Sequence, residues 1–174
     1  RLGVHTLTWR LSAVLLSFFY LSKHWDDWLD THYVGLAAAT RAADAAGQAR
    51  IRMGLGVAYD DLLRFEEAIV QHEAAAELFR GTADRRGEAW NHNNLGVVYD
   101  NLGRFAEAER CYRAGTALFR TLDDPKGQGL CLNNLGDVYR QRHQFAEAEE
   151  CLREALAIQR RHDDVCVRHE NHVT

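Results

Sequence analysis

The sequence matches itself when displaced by 40 residues, and that period constrains the fold more than any other feature. Leu55-Gly56, Leu95-Gly96 and Leu135-Gly136 share one register with no insertion between them. Tyr59, Tyr99 and Tyr139 form a second column, Phe65, Phe105 and Phe145 a third, and Ala68, Ala108 and Ala148 a fourth. Gly87 and Gly127 mark unit ends, with Asp84, Asp124 and Asp164 just ahead of that point. Such a period belongs to stacked supersecondary units rather than to one closed core. One more step back reaches a divergent first unit: Leu15, Phe19, Trp25 and Trp28 fall in the Leu, Tyr, Phe and Ala columns, and Asp44 and Gly47 match Asp84 and Gly87. Trp28 replaces a small alanine, so the packing there must differ, as expected of an end unit.

Each unit reads as two helices. In the third, helix A is predicted from about Gly87 to Leu102, with Trp90, Asn94, Leu95 and Val98 at helical spacing. Gly103 stops it. Helix B follows from about Phe105 to Leu122, with Ala108, Cys111, Tyr112, Gly115 and Phe119 on one face and Glu109 exposed outside it. Asp123 to Gly127 is the turn into the next unit. Gly96, Ala108 and Gly115 let helices approach closely, while Leu95, Tyr99, Phe105 and Tyr112 fill the space between. Every periodic segment repeats at helical spacing, which predicts an all-α chain. The units are placed at 1–48 (divergent), 49–88, 89–128 and 129–164, with a tail at 165–174.

Composition narrows the function. Net charge is −4, so no basic surplus points to nucleic acid. Leu11 to Leu21 is apolar, yet a bilayer span needs about 20 such residues, and no cleavage site follows it. Four cysteines without a secretory signal fit a reducing, cytoplasmic setting. Cys111 and Cys151 share a column inside helix B, the place of a small buried hydrophobe. Cys166, His169 and His172 have metal-like spacing but no fourth ligand, so no metal site is assigned. There is no phosphate loop, no G-x-S-x-G and no zinc-protease motif. Neither catalytic residues nor a cofactor are expected. Arginine outnumbers lysine 19 to 2, a bias typical of GC-rich coding. The chain opens on Arg1, and is expected to belong to a longer or processed protein.

The pattern Leu95-Gly96…Tyr99…Ala108…Tyr112…Gly115, repeated as Leu135-Gly136…Tyr139…Ala148…Leu152…Ala155 and as Leu55-Gly56…Tyr59…Ala68…His72…Ala75, resembles the tetratricopeptide repeat. That resemblance implies a right-handed superhelical solenoid of antiparallel helix pairs. The usual repeat has about 34 residues. The longer form here, with Asn-Asn-Leu-Gly at 93–96 and 133–136, resembles repeats of kinesin light chain and G-protein-signalling modulators. It also resembles the C-terminal arrays of actinobacterial transcription regulators built on a signal-transduction ATPase. The segment from Lys23 to Trp28 is similar to the opening unit of those arrays.

By the same resemblance the A helices line a concave, partner-binding groove. Its residues are Arg50, Met53, Val57 and Asp60, then Trp90, Asn93, Val97 and Asp100, then Leu130, Asn133, Asp137 and Arg140, with Arg10, Ala13 and Ser17 in the first unit. Trp90 is a candidate aromatic anchor or a packing residue, and the asparagines can hydrogen-bond a peptide both ways. Some such domains clamp a C-terminal carboxylate with cations at the positions of Met53, Val57, Asn93, Val97, Asn133 and Asp137. Those cations are missing here, so a chaperone tail is not the expected ligand. The function implied is a protein- or peptide-binding module, the sensor or scaffold of a larger bacterial regulator, with a small-molecule pocket or an oligomerisation unit as alternatives. No nucleic-acid or membrane partner is expected. Leu152, Leu156 and Ile158 leave an open apolar edge on the last B helix. The expectation is a homodimer through the C-terminal end, or a disordered last ten residues or so.

Overall fold

Each internal unit starts on an aspartate that caps its first helix. Asp44, Asp84 and Asp124 accept a hydrogen bond from the backbone N–H of Gly47, Gly87 and Gly127 at 2.9–3.0 Å, satisfying a donor that a helix N-terminus otherwise leaves open. Pro125 sits in the first turn of its helix, where no N–H is needed. The helices end alike. At Leu63, Gly103 and His143 the backbone turns to positive φ, and Arg64 N–H bonds Tyr59 O while Leu63 N–H bonds Asp60 O, the Schellman pattern.

The computed structural model describes residues 2–15, 18, 21 and 24–170, with residues 2 and 163–170 as backbone only. Eight helices follow in these residues: α1 (Leu2–Val14), α2 (Trp25–Arg41), α3 (Ala45–Asp61), α4 (Phe65–Arg80), α5 (Arg85–Asn101), α6 (Phe105–Thr121), α7 (Pro125–Gln141) and α8 (Phe145–Glu170). They pack pairwise into an all-α solenoid. α1, α3, α5 and α7 are A helices; the others are B helices. Consecutive A helices touch one another, and among the described residues no comparable backbone contact joins consecutive B helices. The A helices therefore line the inside of the curve.

The column residues pack as their sizes require. The Gly96 Cα faces the Tyr112 ring, where an added Cβ would come within 2.6 Å, and Gly56 faces the His72 ring in the same way. Leu55, Tyr59, Leu95, Tyr99, Leu135 and Tyr139 join one continuous core along the stack. Trp28 is fully buried against Ala58. Trp9 and Ala39 together replace the alanine–phenylalanine pairs Ala49–Phe79 and Ala89–Phe119 of later units. In each case one ring covers the glycine that begins the next A helix: Trp9 over Gly47, Phe79 over Gly87 and Phe119 over Gly127.

Three expectations change. Helix α1 ends at Val14 and is broken by a turn at Leu15; Phe18 and Leu21 are again helical, and Phe19 lies outside the described residues. Helix α8 runs through Asp163 and Asp164 to Glu170, where a turn was expected. Asp164 has Val167 three residues on, not the glycine that Asp44, Asp84 and Asp124 cap, so the local device that restarts an A helix is missing. Glu109 is not an exposed bystander. It accepts hydrogen bonds from Tyr139 at 2.6 Å, Arg142 at 2.8 Å and Arg113 at 3.0 Å, joining the third unit to the fourth. The Tyr139 hydroxyl is the main cause holding its carboxyl below the usual range.

Candidate binding face of the A helices

The twelve groove residues lie on A helices, yet the stack uses many of them. Asn101 donates to Asp60 at 3.0 Å, Gln141 to Asp100 at 3.0 Å, and Asn134 to Asn93 at 3.0 Å. Each bond spans 41 residues, one unit plus one position. The result is a polar ladder stitching consecutive A helices along the inner face. Burial pushes the Asp60 and Asp100 carboxyls up, and the amide donors partly offset it. Asn93 is 4% exposed and also accepts from the Cys131 thiol. Arg50 reaches the cap of the next unit, 2.6 Å from Asp84. Met53 packs against Ala49, Ala75 and Phe79, and Val57 against Trp28 and Ala58. Val97 lies on the main core. Trp90 is half-buried, its ring edge-on to Phe119 at 5.1 Å. In the first unit Arg10 is exposed and Ala13 packs on the core; Ser17 lies outside the described residues.

The fourth unit differs. Leu130, Asn133, Asp137 and Arg140 are all exposed. Arg140 stands where Asp60 and Asp100 stand in the units before it, and pairs with Asp137 of its own helix at 3.2 Å. Leu130 and Asn133 border a groove of about 410 Å³ between α7 and α8, with Leu152, Ala155, Leu156 and Gln159 on its far side.

Periodicity did not single out the partners Asn101, Asn134 and Gln141, although Asn101 and Gln141 share a column. It also passed over a buried polar pair. His72 Nδ1 lies 2.9 Å from Asn91 Oδ1, and Asn91 Nδ2 donates to His72 O at 2.9 Å. Both residues are fully buried. His32, in the same column as His72, is also buried and bonds Trp28 O. Burial pushes both imidazoles down to about 4. Burial disfavours the thiolate, pushing Cys131 up to about 12 and Cys111 up to about 11. Cys111, Cys131 and Cys151 are free; the side chains of Cys166 and His169, and all of His172, lie outside the described residues. No described group of histidine, cysteine and carboxylate side chains could hold a metal ion. No helix among the described residues is long and apolar enough to cross a membrane.

A ladder of helix pairs with small residues at fixed columns and a continuous A-helix face defines a class of repeat scaffold. Residues 47–121 and 88–161 match the tetratricopeptide repeat family, and the chain belongs to it. Modules of this family generally serve protein–protein interaction. Among solved structures the chain is similar to BtubC (BKLC) of P. vanneervenii, at 22% identity and a TM-score of 0.81, covering 91% of this chain and 66% of that one. It is similar to the apo form of RapI at 18% identity and a TM-score of 0.81, covering 90% and 57%. Kinesin light chain TPR-like repeats of Podosopora anserina give 16% identity and a TM-score of 0.71, covering 94% and 84%. At these identities the likeness is one of fold. The chain spans 66% and 57% of the lengths of the first two. A comparison with curated proteins gives no match.

Proposed function

We propose that this chain is a polypeptide-binding module that receives its partner along the inner face of the A helices. The observation that carries this reading is the change at the fourth unit, where the same columns that lock the stack together upstream present Asn133, Asp137 and Arg140 to solvent. A main-chain amide of a bound segment meets both a donor and an acceptor on Asn133. The ladder upstream holds the face rigid, which lowers the ordering cost of binding. Within the cell the module acts as sensor or scaffold of a larger bacterial transcription regulator in a reducing cytoplasm. The arginine bias, the opening segment from Lys23 to Trp28 and the free thiols support that setting. The test is photo-crosslinking from position 137, with position 160 on exposed α8 as control. A partner captured from 137 alone, and lost in Asn133→Ala/Arg140→Ala, is expected. Equal capture from both positions, or capture unaffected by the double substitution, refutes the reading.

A second reading concerns the other open surface. Leu130, Leu152 and Leu156 are 39–48% exposed beside one another at the C-terminal edge. Apolar patches of this kind mark association sites, and self-association through this edge is proposed alongside partner binding.

A further inference from the structure

Two grooves on the outer flank of the stack occupy the same columns, 80 residues apart. Each lies between consecutive B helices, with the A helix between them as its floor. The α2–α4 groove, of about 280 Å³, is lined by Tyr33, Tyr59, Glu66, Glu67, Val70 and Gln71. The α6–α8 groove, of about 260 Å³, has Arg113, Tyr139, Glu147, Glu150 and Cys151 in the columns of all of these but Glu66. The first is open although two units follow it, and the second although two units precede it. A flank groove is therefore complete within its own two units, and stacking does not cover it.

The two differ in what fills them. In α6–α8 the chain supplies its own ions: Arg113 donates to Tyr139 at 2.6 Å, Glu109 accepts from Tyr139, Arg113 and Arg142, and Arg120 meets Glu154 at 2.8 Å. In α2–α4 every charged member of that network is replaced by a neutral residue. Tyr33 stands for Arg113, Leu29 for Glu109, Leu62 for Arg142, Thr40 for Arg120 and Ala74 for Glu154, while Val70 stands for Glu150. Tyr33 keeps the bond to the floor, its hydroxyl pairing with that of Tyr59 as Arg113 pairs with Tyr139. Yet Tyr33, its neighbour Val34 and Val70 across the groove remain 45–60% exposed. Around this apolar centre the charge is one-sided. Helices α2 and α4 carry three aspartates and four glutamates against two arginines, a larger negative surplus than the −4 of the whole chain. Arg64 meets Glu67 at 2.6 Å and Arg52 meets Gln71 at 3.0 Å. Asp30 and Glu66 are exposed and hold no ion pair among the described residues.

We propose that the α2–α4 groove is a second docking site, which takes a basic amphipathic segment of a partner protein. Aliphatic side chains of that segment rest on Tyr33, Val34 and Val70, and its lysines or arginines meet Asp30 and Glu66. An apolar centre inside a charged rim is the usual anatomy of a protein interface, and the complementary field steers the encounter. The same carboxylates repel nucleic-acid phosphates and an anionic lipid surface. The site lies on the flank, away from the inner face of the A helices, and stands whether or not that face binds a partner.

Fluorescence anisotropy tests it with a labelled leucine–lysine peptide of about 18 residues, leucines on one helical face and lysines on the other. The wild type is compared with three variants. Tyr33→Arg/Val70→Glu writes the α6–α8 residues into the α2–α4 groove without changing the net charge. Asp30→Asn/Glu66→Gln removes two carboxylates and keeps the apolar centre. Asn133→Ala/Arg140→Ala alters only the inner face. All these positions are exposed, and far-ultraviolet circular dichroism checks that each variant is folded. The wild type is expected to bind the peptide, the first two variants to bind it about tenfold more weakly, and the inner-face variant to bind as the wild type does. A leucine–glutamate peptide of the same pattern is expected not to bind. No binding by the wild type, undiminished binding by Tyr33→Arg/Val70→Glu, or loss in Asn133→Ala/Arg140→Ala overturns the groove as the site. Undiminished binding by Asp30→Asn/Glu66→Gln, or equal binding of the leucine–glutamate peptide, overturns the basic character of the partner. Failure of the inner-face reading shows instead in the crosslinking from position 137 and leaves these outcomes untouched.

Discussion

Gly96 and Gly129 are both glycines inside A helices, yet a methyl group would do opposite things at the two. At Gly129 the added carbon meets open space, so Gly129→Ala should stabilise by about 0.5–1 kcal/mol through the lost backbone freedom of glycine alone. At Gly96 it strikes the Tyr112 ring, and Gly96→Ala should destabilise, by about 1–3 kcal/mol. Urea denaturation of the two variants checks the sign; equal shifts would reject the packing described. The same scale holds the pH response. In His32 and His72 the partner of Nδ1 is an acceptor, so Nδ1 carries the proton, and Nε2 is buried without a partner. Both pKa values fall from 6.5 to about 4 on folding. Below pH 6.5 the unfolded chain takes up protons that the folded chain refuses. Their contribution is thus full above that pH and is lost as pH falls towards 4, by about 1.4 kcal/mol per pH unit for each histidine. His32→Leu, which copies the residue of the same column at Leu152, should remove its share of that slope in urea titrations between pH 7 and about 5, with His72 and the likewise lowered His92 supplying the rest. An unchanged slope would show that His32 titrates normally in the fold. His72 stood in the Tyr112 column of the sequence pattern; His32, one period earlier, was not singled out. Nor was Asn91, the partner of His72, because it lies in the column of Ile51 and Cys131 and only the stacked geometry brings it to His72.

At the scale of elements the internal helices were legible to within a few residues, because three local signals agree: aspartate caps, a glycine three residues later, and a column pattern with helical steps. Where one signal is missing the reading slipped. Without a glycine after Asp164 the last helix does not stop, and without an aspartate at Val4 the first helix starts and ends early. The inner face was legible as a set of positions. What those positions do was not, since the partners of Asp60, Asp100 and Asn93 sit one unit and one residue away. Four turns place a non-glycine residue at positive φ, and the strain at Leu63 can be relieved. Leu63 adopts φ 58° at the place where Gly103 adopts 69°, and its side chain is 73% exposed. A left-handed conformation costs an L-residue about 1–2 kcal/mol, against about 0.5–1 kcal/mol for the extra freedom of glycine. Leu63→Gly should therefore raise stability by about 0.5–1 kcal/mol, seen as a higher melting temperature; a fall would mean that Leu63 packs in solution.

For the whole molecule the decisive property is that contacts run between neighbours in the stack. α5 and α6 together touch the pairs before and after them, and among the described residues no strong contact joins α1 or α2 to α7 or α8. Stability in such an array is a sum over units and junctions rather than one indivisible core. At the junction between the third and fourth units the apolar core runs on from Leu95 and Tyr99 to Leu135 and Tyr139, beside the Phe119 ring over Gly127, Cys131 on Gly115, the Asn93–Asn134 and Asp100–Gln141 bonds, and the Glu109 node. A bulky side chain at Gly127 drives Phe119 out of its place and pulls the others apart with it. Hydrogen exchange on Gly127→Leu should then show α7 and α8 losing protection by orders of magnitude while α3 and α4 keep theirs, since local opening need not spread past the broken junction. Uniform loss across all helices would show that the chain folds as one unit, and that the four pairs are coupled more tightly than their contacts indicate.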